Sequence, residues 1–186
     1  MQTIYLKKFG TVLVSRPAGL EAFQAIRPAL DASQPVVVDF DGVLTDGSVV
    51  FGQDGYEMVR CSRRDSLGIN MLQENGIKVI VISKEKNPVV KERCKKMGIE
   101  CWQSVYTEHD KLSVLKQYIS KKGISPEEIC FVGDDVNDIP CIQFAGIGVT
   151  VSNGSPKNKK VADYVTTKKG GDGAVREVCD LILESR

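Results

Sequence analysis

Short apolar runs separated by helix-like segments recur from residue 36 to the end of the chain, and this alternation limits the fold more than any other feature. The runs are VVVD (36–39), KVIVI (78–82), CWQS (101–104), ICFV (129–132) and IGVTV (147–151), with ADYVT (162–166) as a weaker sixth. Strands that read as near-continuous apolar runs are covered on both faces, and parallel neighbours need a helical crossover between them. The pattern predicts an α/β fold: a Rossmann-like parallel sheet sandwiched by helices. The intervening helices carry their own punctuation. Asn87-Pro88 supplies a cap and a first-turn proline, and Gly98 closes that helix. Thr107 and Asp110 form a capping box for a helix ending at Gly123. From Gly173 to Ser185, Val175, Cys179 and Ile182 share one helical face that should pack on the sheet.

Two parts break the alternation. Residues 48–61 (SVVFGQDGYEMVRC) read as a β-hairpin turning at Asp54-Gly55 and inserted directly after the first strand. Residues 1–34 contain a strand-like TVLVS and a helix-like AGLEAFQAIRPAL; they are an appendage, an extra layer or the remnant of a neighbouring domain. At 186 residues the chain suits one domain with a small addition, and we divide it into an N-terminal appendage (1–34) and an α/β domain (35–186).

Composition removes several classes of function. The formal net charge of +1 gives no global pull toward nucleic acid or a membrane surface, so neither is expected as a partner. Lys157, Lys159, Lys160, Lys168 and Lys169 form a basic cluster that reads as a solvated surface near loops. The six cysteines, at 61, 94, 101, 130, 141 and 179, include no CxxC pair, which argues against zinc and against a disulfide framework. Cys130 and Cys141 sit in apolar segments and read as core residues. No run approaches the roughly 18 apolar residues of a membrane span, and the N-terminus has no signal-peptide core, so a reducing cytoplasm is the expected compartment.

The chemistry concentrates at strand ends. In an open parallel sheet, ligands bind beyond the carboxyl ends of the strands. Asp39 and Asp41 follow the first strand in PVVVDFDGVLTDG, Ser83 the second, and Asp134, Asp135 and Asp138 the fourth, in GDDVND. Lys111, in TEHDKL, stands ahead of a helix, where a cation opposes the helix dipole. Taken singly, GDDVND is as well read as a loop, and Ser83 as a satisfied strand-end hydroxyl. A calcium loop at DxDG is excluded, because Val43 and Val50 stand where oxygen ligands are needed.

Taken together, these residues fit phosphoryl transfer. Mg2+ binds through one or two carboxylates, for which Asp39 and Asp134 serve, and its charge offsets the cost of burying them. Asp39 is the candidate nucleophile, attacking phosphorus to give an aspartyl-phosphate, and Asp41 the acid/base for the departing oxygen and then for water. Lys111 would neutralise the nucleophile and the phosphoryl oxygens. Ser83 and backbone N–H groups after Asp41, Gly42 among them, would hold those oxygens.

DFDGVLTDG, IS, DK and GDDVND in this order resemble the motifs of the haloacid dehalogenase superfamily. Within it the chain is similar to the small, capless sugar-acid phosphatases. These act on 3-deoxy-D-manno-octulosonate 8-phosphate or on nonulosonate and N-acylneuraminate 9-phosphates. The phosphatase-like domain fused to some CMP-sialic acid synthetases is similar too. The hairpin, RRDSLGI and the closing GGDGAVRE carry this finer likeness. The resemblance implies the same fold with no separate cap domain. It implies Mg2+ held by Asp39, the backbone carbonyl of Asp41, and Asp134, with Asp138 orienting Lys111 or a metal-bound water. It also implies a homotetramer in which hairpins pack together and a neighbour closes each site.

Substrate choice in that group follows the residues after the motif-two hydroxyl. Here they are Lys84-Glu85, and Glu85 points to a nine-carbon sugar acid while Lys84 departs from both known patterns. Arg93 and Lys96 match basic positions that contact the sugar acid, probing across a subunit boundary; equally, they complement a helix C-terminus. Arg64, with Arg63, either reaches a substrate carboxylate or flanks the hairpin base. His109 reads as a surface residue and Trp102 as core or interface. The expected function is a Mg2+-dependent phosphatase of a nonulosonate 9-phosphate. The alternatives are an octulosonate 8-phosphate phosphatase and a non-catalytic module that assembles a cytidylyltransferase. Retention of both Asp39 and Asp41 argues against the module.

Overall fold

The structure, a computed structural model, describes residues 34–103 and 111–186, two short strands near the N-terminus, and Pro28 and Asp31. The elements are β1 (Ile4–Leu6), β2 (Gly10–Val12), β3 (Val36–Val38), β4 (Thr45–Phe51), β5 (Glu57–Cys61), α1 (Arg63–Glu74), β6 (Val79–Ile82), α2 (Pro88–Met97), β7 (Glu100–Trp102), α3 (Lys111–Lys122), β8 (Cys130–Gly133), α4 (Ile139–Phe144), β9 (Ile147–Thr150), α5 (Pro156–Val161), β10 (Tyr164–Val165) and α6 (Ala174–Ser185). Each predicted strand is present, with ends moved by one or two residues. The Thr107–Asp110 capping box, His109 and most of the 1–34 segment lie outside the described residues.

Six strands form one parallel sheet in the order β10-β9-β8-β3-β6-β7. From central β3 the chain builds outward through β6 and β7, then crosses to β8 and continues through β9 to β10. The order therefore reverses between β3 and β8, where open α/β sheets leave a crevice for ligands. The period of two along each strand divides the core into two layers. Val36 and Val38 face Ile69 and Leu72 of α1, Val90 and Cys94 of α2, and Val175, Cys179 and Ile182 of α6. Val37 faces the other way, with Ile80, Ile82, Phe131, Leu115 and Tyr118 of α3, and Cys141 and Ile142 of α4. Both layers belong to this one sheet, and among the described residues no second core forms a cap over its carboxyl edge.

The punctuation acts as expected. Asn87 caps α2 through its side chain, which accepts from the Val89 N–H, and Gly98 ends that helix at φ +66°. The hairpin starts three residues earlier than predicted, at Thr45, with a register irregularity between Thr45 and Val49. Its tip closes between Gly52 and Tyr56, with Asp54 Oδ1 accepting the Tyr56 N–H. Val50, Phe51, Tyr56 and Met58 are exposed on it.

One buried carboxylate ties two helices of the same layer. Asp65 of α1 is fully buried. Its Oδ1 accepts the Arg176 N–H at 2.9 Å and its Oδ2 the Gly173 N–H at 3.4 Å, so it caps α6 from a distant part of the chain. Burial pushes the Asp65 carboxyl up, against the pull of the Arg176, Gly173 and Val175 N–H groups. A neutral acceptor should therefore replace it well. Asp65→Ala is expected to destabilise the fold by about 1–2 kcal/mol, and Asp65→Asn by clearly less. Urea denaturation midpoints compare the two, and equal losses would show that the charge itself matters.

Candidate active site

The site is built where β3 and β8 end side by side. Val38 pairs with Val132, and the Asp39 N–H donates to the Val132 carbonyl at 2.9 Å. This places Asp39 beside the loop that carries Asp134 and Asp138. Lys111, the first residue of α3, reaches them from below: its Nζ lies 2.6 Å from Asp39 Oδ2 and 2.7 Å from Asp138 Oδ1, with its side chain 1% exposed. A cation at a helix start, unfavourable by the dipole alone, is explained by these two partners. Asp138 turns its other oxygen to the N–H groups of Asp134 (2.9 Å) and Asp135 (3.3 Å), which shapes the GDDVND turn around it. The Asp39 Oδ1 accepts the Phe40 N–H at 2.7 Å.

One carboxylate oxygen from each of Asp39, Asp134 and Asp138 lies within 4.8 Å of the other two. Three carboxylates thus share one ammonium. Burial and the charges of Asp138 and Asp134 push Asp39 well above the ordinary carboxylate range, with Lys111 opposing. Asp134 is pushed up to about 6 by burial and by Asp138, again against Lys111. Lys111 itself is raised to about 12; burial acts to lower it, and the charges of Asp39 and Asp138 outweigh that. This surplus of negative charge on hard oxygen donors is what a divalent cation neutralises, so the donor set fits Mg2+.

Asp41 stands apart from this knot. It is half-buried, and its carboxyl is raised by burial, then by the charges of Glu85 and Glu57, with Lys111 pulling the other way. A carboxyl shifted upward keeps its proton more readily than an ordinary one, which suits a group that donates it. Ser83 is buried at the end of β6, next to β3, where its N–H donates to the Trp102 carbonyl and its Oγ accepts the Glu85 N–H at 3.0 Å.

Several other candidate residues already hold partners within the chain. The Gly42 N–H donates to Thr45 Oγ1 at 3.1 Å. Gly42 is required for space: its φ is +75°, and a Cβ there would lie 2.0 Å from Asp134 Oδ2. Glu85 folds its carboxylate back, with Oε1 accepting the N–H groups of Lys86 and Asn87. Arg93 is turned to α1, where it donates to the Ser62 carbonyl and the Ser66 hydroxyl. Lys96 is exposed in the last turn of α2, a helix that runs away from the carboxyl edge, so within one chain it does not meet the cluster. Arg64 is exposed at the start of α1, its stem near Gly173 and Lys168. Trp102 is half-buried, edge-on to Tyr118 with ring centroids 6.0 Å apart.

Other residues escaped the sequence reading. Thr45 is buried and its hydroxyl also accepts the Gly47 N–H, closing the turn after Asp41. Asn158 is buried and donates to the Asp135 carbonyl at 2.7 Å, while the Ser155 N–H donates to the Asp134 carbonyl, so α5 clamps the GDDVND loop. The Ser155-Pro156 helix start was the available signal. Gly170 packs so closely on Gly42 that a Cβ would lie 1.7 Å from the Gly42 carbonyl oxygen. Only folding brings those segments together.

Residues 78–178 match the model of the haloacid dehalogenase-like hydrolase family. This chain belongs to that family and is a hydrolase of phosphomonoesters. It is 38% identical over 149 residues to 3-deoxy-D-manno-octulosonate 8-phosphate phosphatase KdsC of Escherichia coli K12, which is 80% of this chain and 78% of that protein. Among solved structures it is similar to the 3-deoxy-D-manno-octulosonate 8-phosphate phosphatase of Moraxella catarrhalis, crystallised with magnesium, phosphate and KDO. That likeness has a TM-score of 0.82 and 35% identity over 89% of this chain and 92% of the other. The cobalt-bound phosphatase of Haemophilus influenzae is also similar, with a TM-score of 0.79 and 30% identity over 84% of this chain and 91% of that one. No helix among the described residues is long and apolar enough to cross a membrane.

Gly42→Ala should cut phosphate release by at least ~100-fold, since a shift of about 1 Å in a reacting group has that effect. Circular dichroism should still report a folded chain. Activity within a few-fold of the parent would show that Asp134 tolerates displacement.

Proposed function

We propose that the chain is a Mg2+-dependent phosphatase of a sugar-acid phosphate, with 3-deoxy-D-manno-octulosonate 8-phosphate as its substrate. The single observation that carries the chemistry is the buried knot of Asp39, Asp138 and Lys111 beside Asp134, at the point where the strand order reverses. The substrate rests on the likeness to the octulosonate phosphatases. A nine-carbon substrate is the second reading, and Glu85 is its support. The inward fold of Glu85 onto the backbone weakens that support relative to the first reading.

In this reading Asp39 attacks phosphorus and the bond to the sugar oxygen breaks, giving an aspartyl-phosphate. Asp41 gives its proton to the departing oxygen and then takes one from the water that cleaves the intermediate. Lys111 holds Asp39 in line and balances charge on the phosphoryl oxygens, and Asp138 holds Lys111. Ser83 Oγ donates to a phosphoryl oxygen. Asp39, the Asp41 carbonyl and Asp134 would hold Mg2+, which supplies positive charge for the phosphoryl group. The apolar residues exposed on the hairpin, Val50, Phe51, Tyr56 and Met58, support assembly into a homotetramer in which neighbours cover them.

Phosphate release from octulosonate 8-phosphate and nonulosonate 9-phosphate, with Mg2+ and with excess EDTA, tests the reading. The expected result is metal-dependent turnover favouring the eight-carbon substrate and lost in Asp39→Asn. A preference for the nine-carbon ester would restore Glu85 as selector, and turnover that persists in EDTA would sink the metal assignment. Asp41→Asn should lose about 100-fold or more on the sugar phosphate, the usual range for a general acid. It should lose much less on an aryl phosphate, whose leaving group needs no proton. Equal losses on both would remove Asp41 from that role.

A further inference from the structure

Between the hairpin and α2 runs a polar connection that the phosphoryl chemistry leaves unused. Asn87 Nδ2 donates to Glu57 Oε2 at 2.6 Å, joining β5 to the start of α2. The same side chain accepts the Val89 N–H on its oxygen at 3.0 Å, so it caps the helix and grips the hairpin at once. The Asn87 carbonyl accepts from Gln103 Nε2 at 2.6 Å, which ties it to the end of β7. Glu85 completes the lock, with its N–H on Ser83 Oγ and its carboxylate on the Lys86 and Asn87 N–H groups. The stretch from Ser83 to Asn87 is thus held at both ends, and its one attachment to the hairpin in these bonds is Glu57.

This matters because of where the stretch lies. Ser83 ends the strand next to β3, and Glu57 and Glu85 both act on Asp41 through their charges. The loop therefore starts at the carboxyl end of the strand that neighbours the one leading to Asp39 and Asp41. We propose that Glu57 is a positioning residue for the phosphatase reaction: through Asn87 it holds the Ser83–Asn87 loop in the shape that receives the sugar portion of the substrate. The proposal rests on the sugar-acid phosphatase reading for its substrate, and on the hydrogen-bond network alone for the lock. A carboxylate acceptor on an amide donor makes a strong, oriented bond. Glutamine keeps an acceptor at the same reach, and alanine removes it.

Two readouts on the full chain test it. Glu57→Ala should raise KM for octulosonate 8-phosphate by ~10-fold with little change in kcat, the pattern of lost binding that is equal in ground and transition states. The ratio of its kcat/KM to that for a small aryl phosphate should fall by a similar factor, and Glu57→Gln should recover most of the loss. Amide hydrogen exchange at Asn87 and Val89 should speed up by ~10-fold or more in Glu57→Ala and little in Glu57→Gln, while exchange in α6 stays unchanged. Equal losses on the sugar acid and the aryl ester, failure of glutamine to rescue, or unchanged exchange at Asn87 and Val89 would each overturn the proposal. If the unsubstituted chain turns over no sugar-acid phosphate, the substrate reading fails, and the exchange measurement still decides whether Glu57 holds the loop.

Discussion

The burial of Lys111 between Asp39 and Asp138 is the interaction on which the rest of the site depends. Each of these charges, taken from water alone, would cost several kcal/mol, on the order of the penalties known for isolated buried ions. The ammonium at 2.6 and 2.7 Å from two carboxylates offsets part of that cost, and the turn N–H groups on Asp138 offset more. The compensation is incomplete, because Asp134 adds a third carboxylate. A site left with excess negative charge on oxygen donors is prepared for a hard dication, and a substrate phosphate can then enter against that cation. Stability and chemistry thus share one electrostatic arrangement.

Around this knot the backbone is packed more tightly than side chains allow. Gly42 lets Asp134 approach the loop that follows Asp39, Gly133 makes room for Asp138, and Gly170 lies directly on the Gly42 carbonyl. The loop after β3 is therefore pressed between the loop after β8 and the segment ahead of α6. Thr45 fastens it from within and Asn158 fastens the loop after β8, each through a buried polar group that finds a backbone partner. Such a site gains its rigidity from several distant segments, and an acid placed on one loop is aimed by the others.

The hairpin supplies both a local constraint and an outward surface. Its stem reaches the Ser83–Asn87 loop through Glu57, while its strands and tip expose Val50, Phe51, Tyr56 and Met58. One inserted element can thus connect the shape of the site to whatever covers those side chains.

The sequence alone determined the strand and helix succession, because near-continuous apolar runs and capping residues such as Asn87, Pro88 and Gly98 are local signals. It also singled out Asp39, Asp41, Ser83, Lys111, Asp134 and Asp138 as candidates, since strand ends are where such a sheet keeps its chemistry. What those residues touch was decided by tertiary structure. Glu85 caps its own loop, accepting the Lys86 and Asn87 N–H groups. Gly42 also clears space for Asp134, which the sequence did not show. The bonds made by Asp65, Thr45 and Asn158 could not be read from the sequence, because their partners lie in other segments or in backbone groups that only folding brings within reach. Side-chain chemistry is written residue by residue, whereas clearance and hydrogen-bond partnership belong to pairs of segments, and no reading along one strand of text contains them.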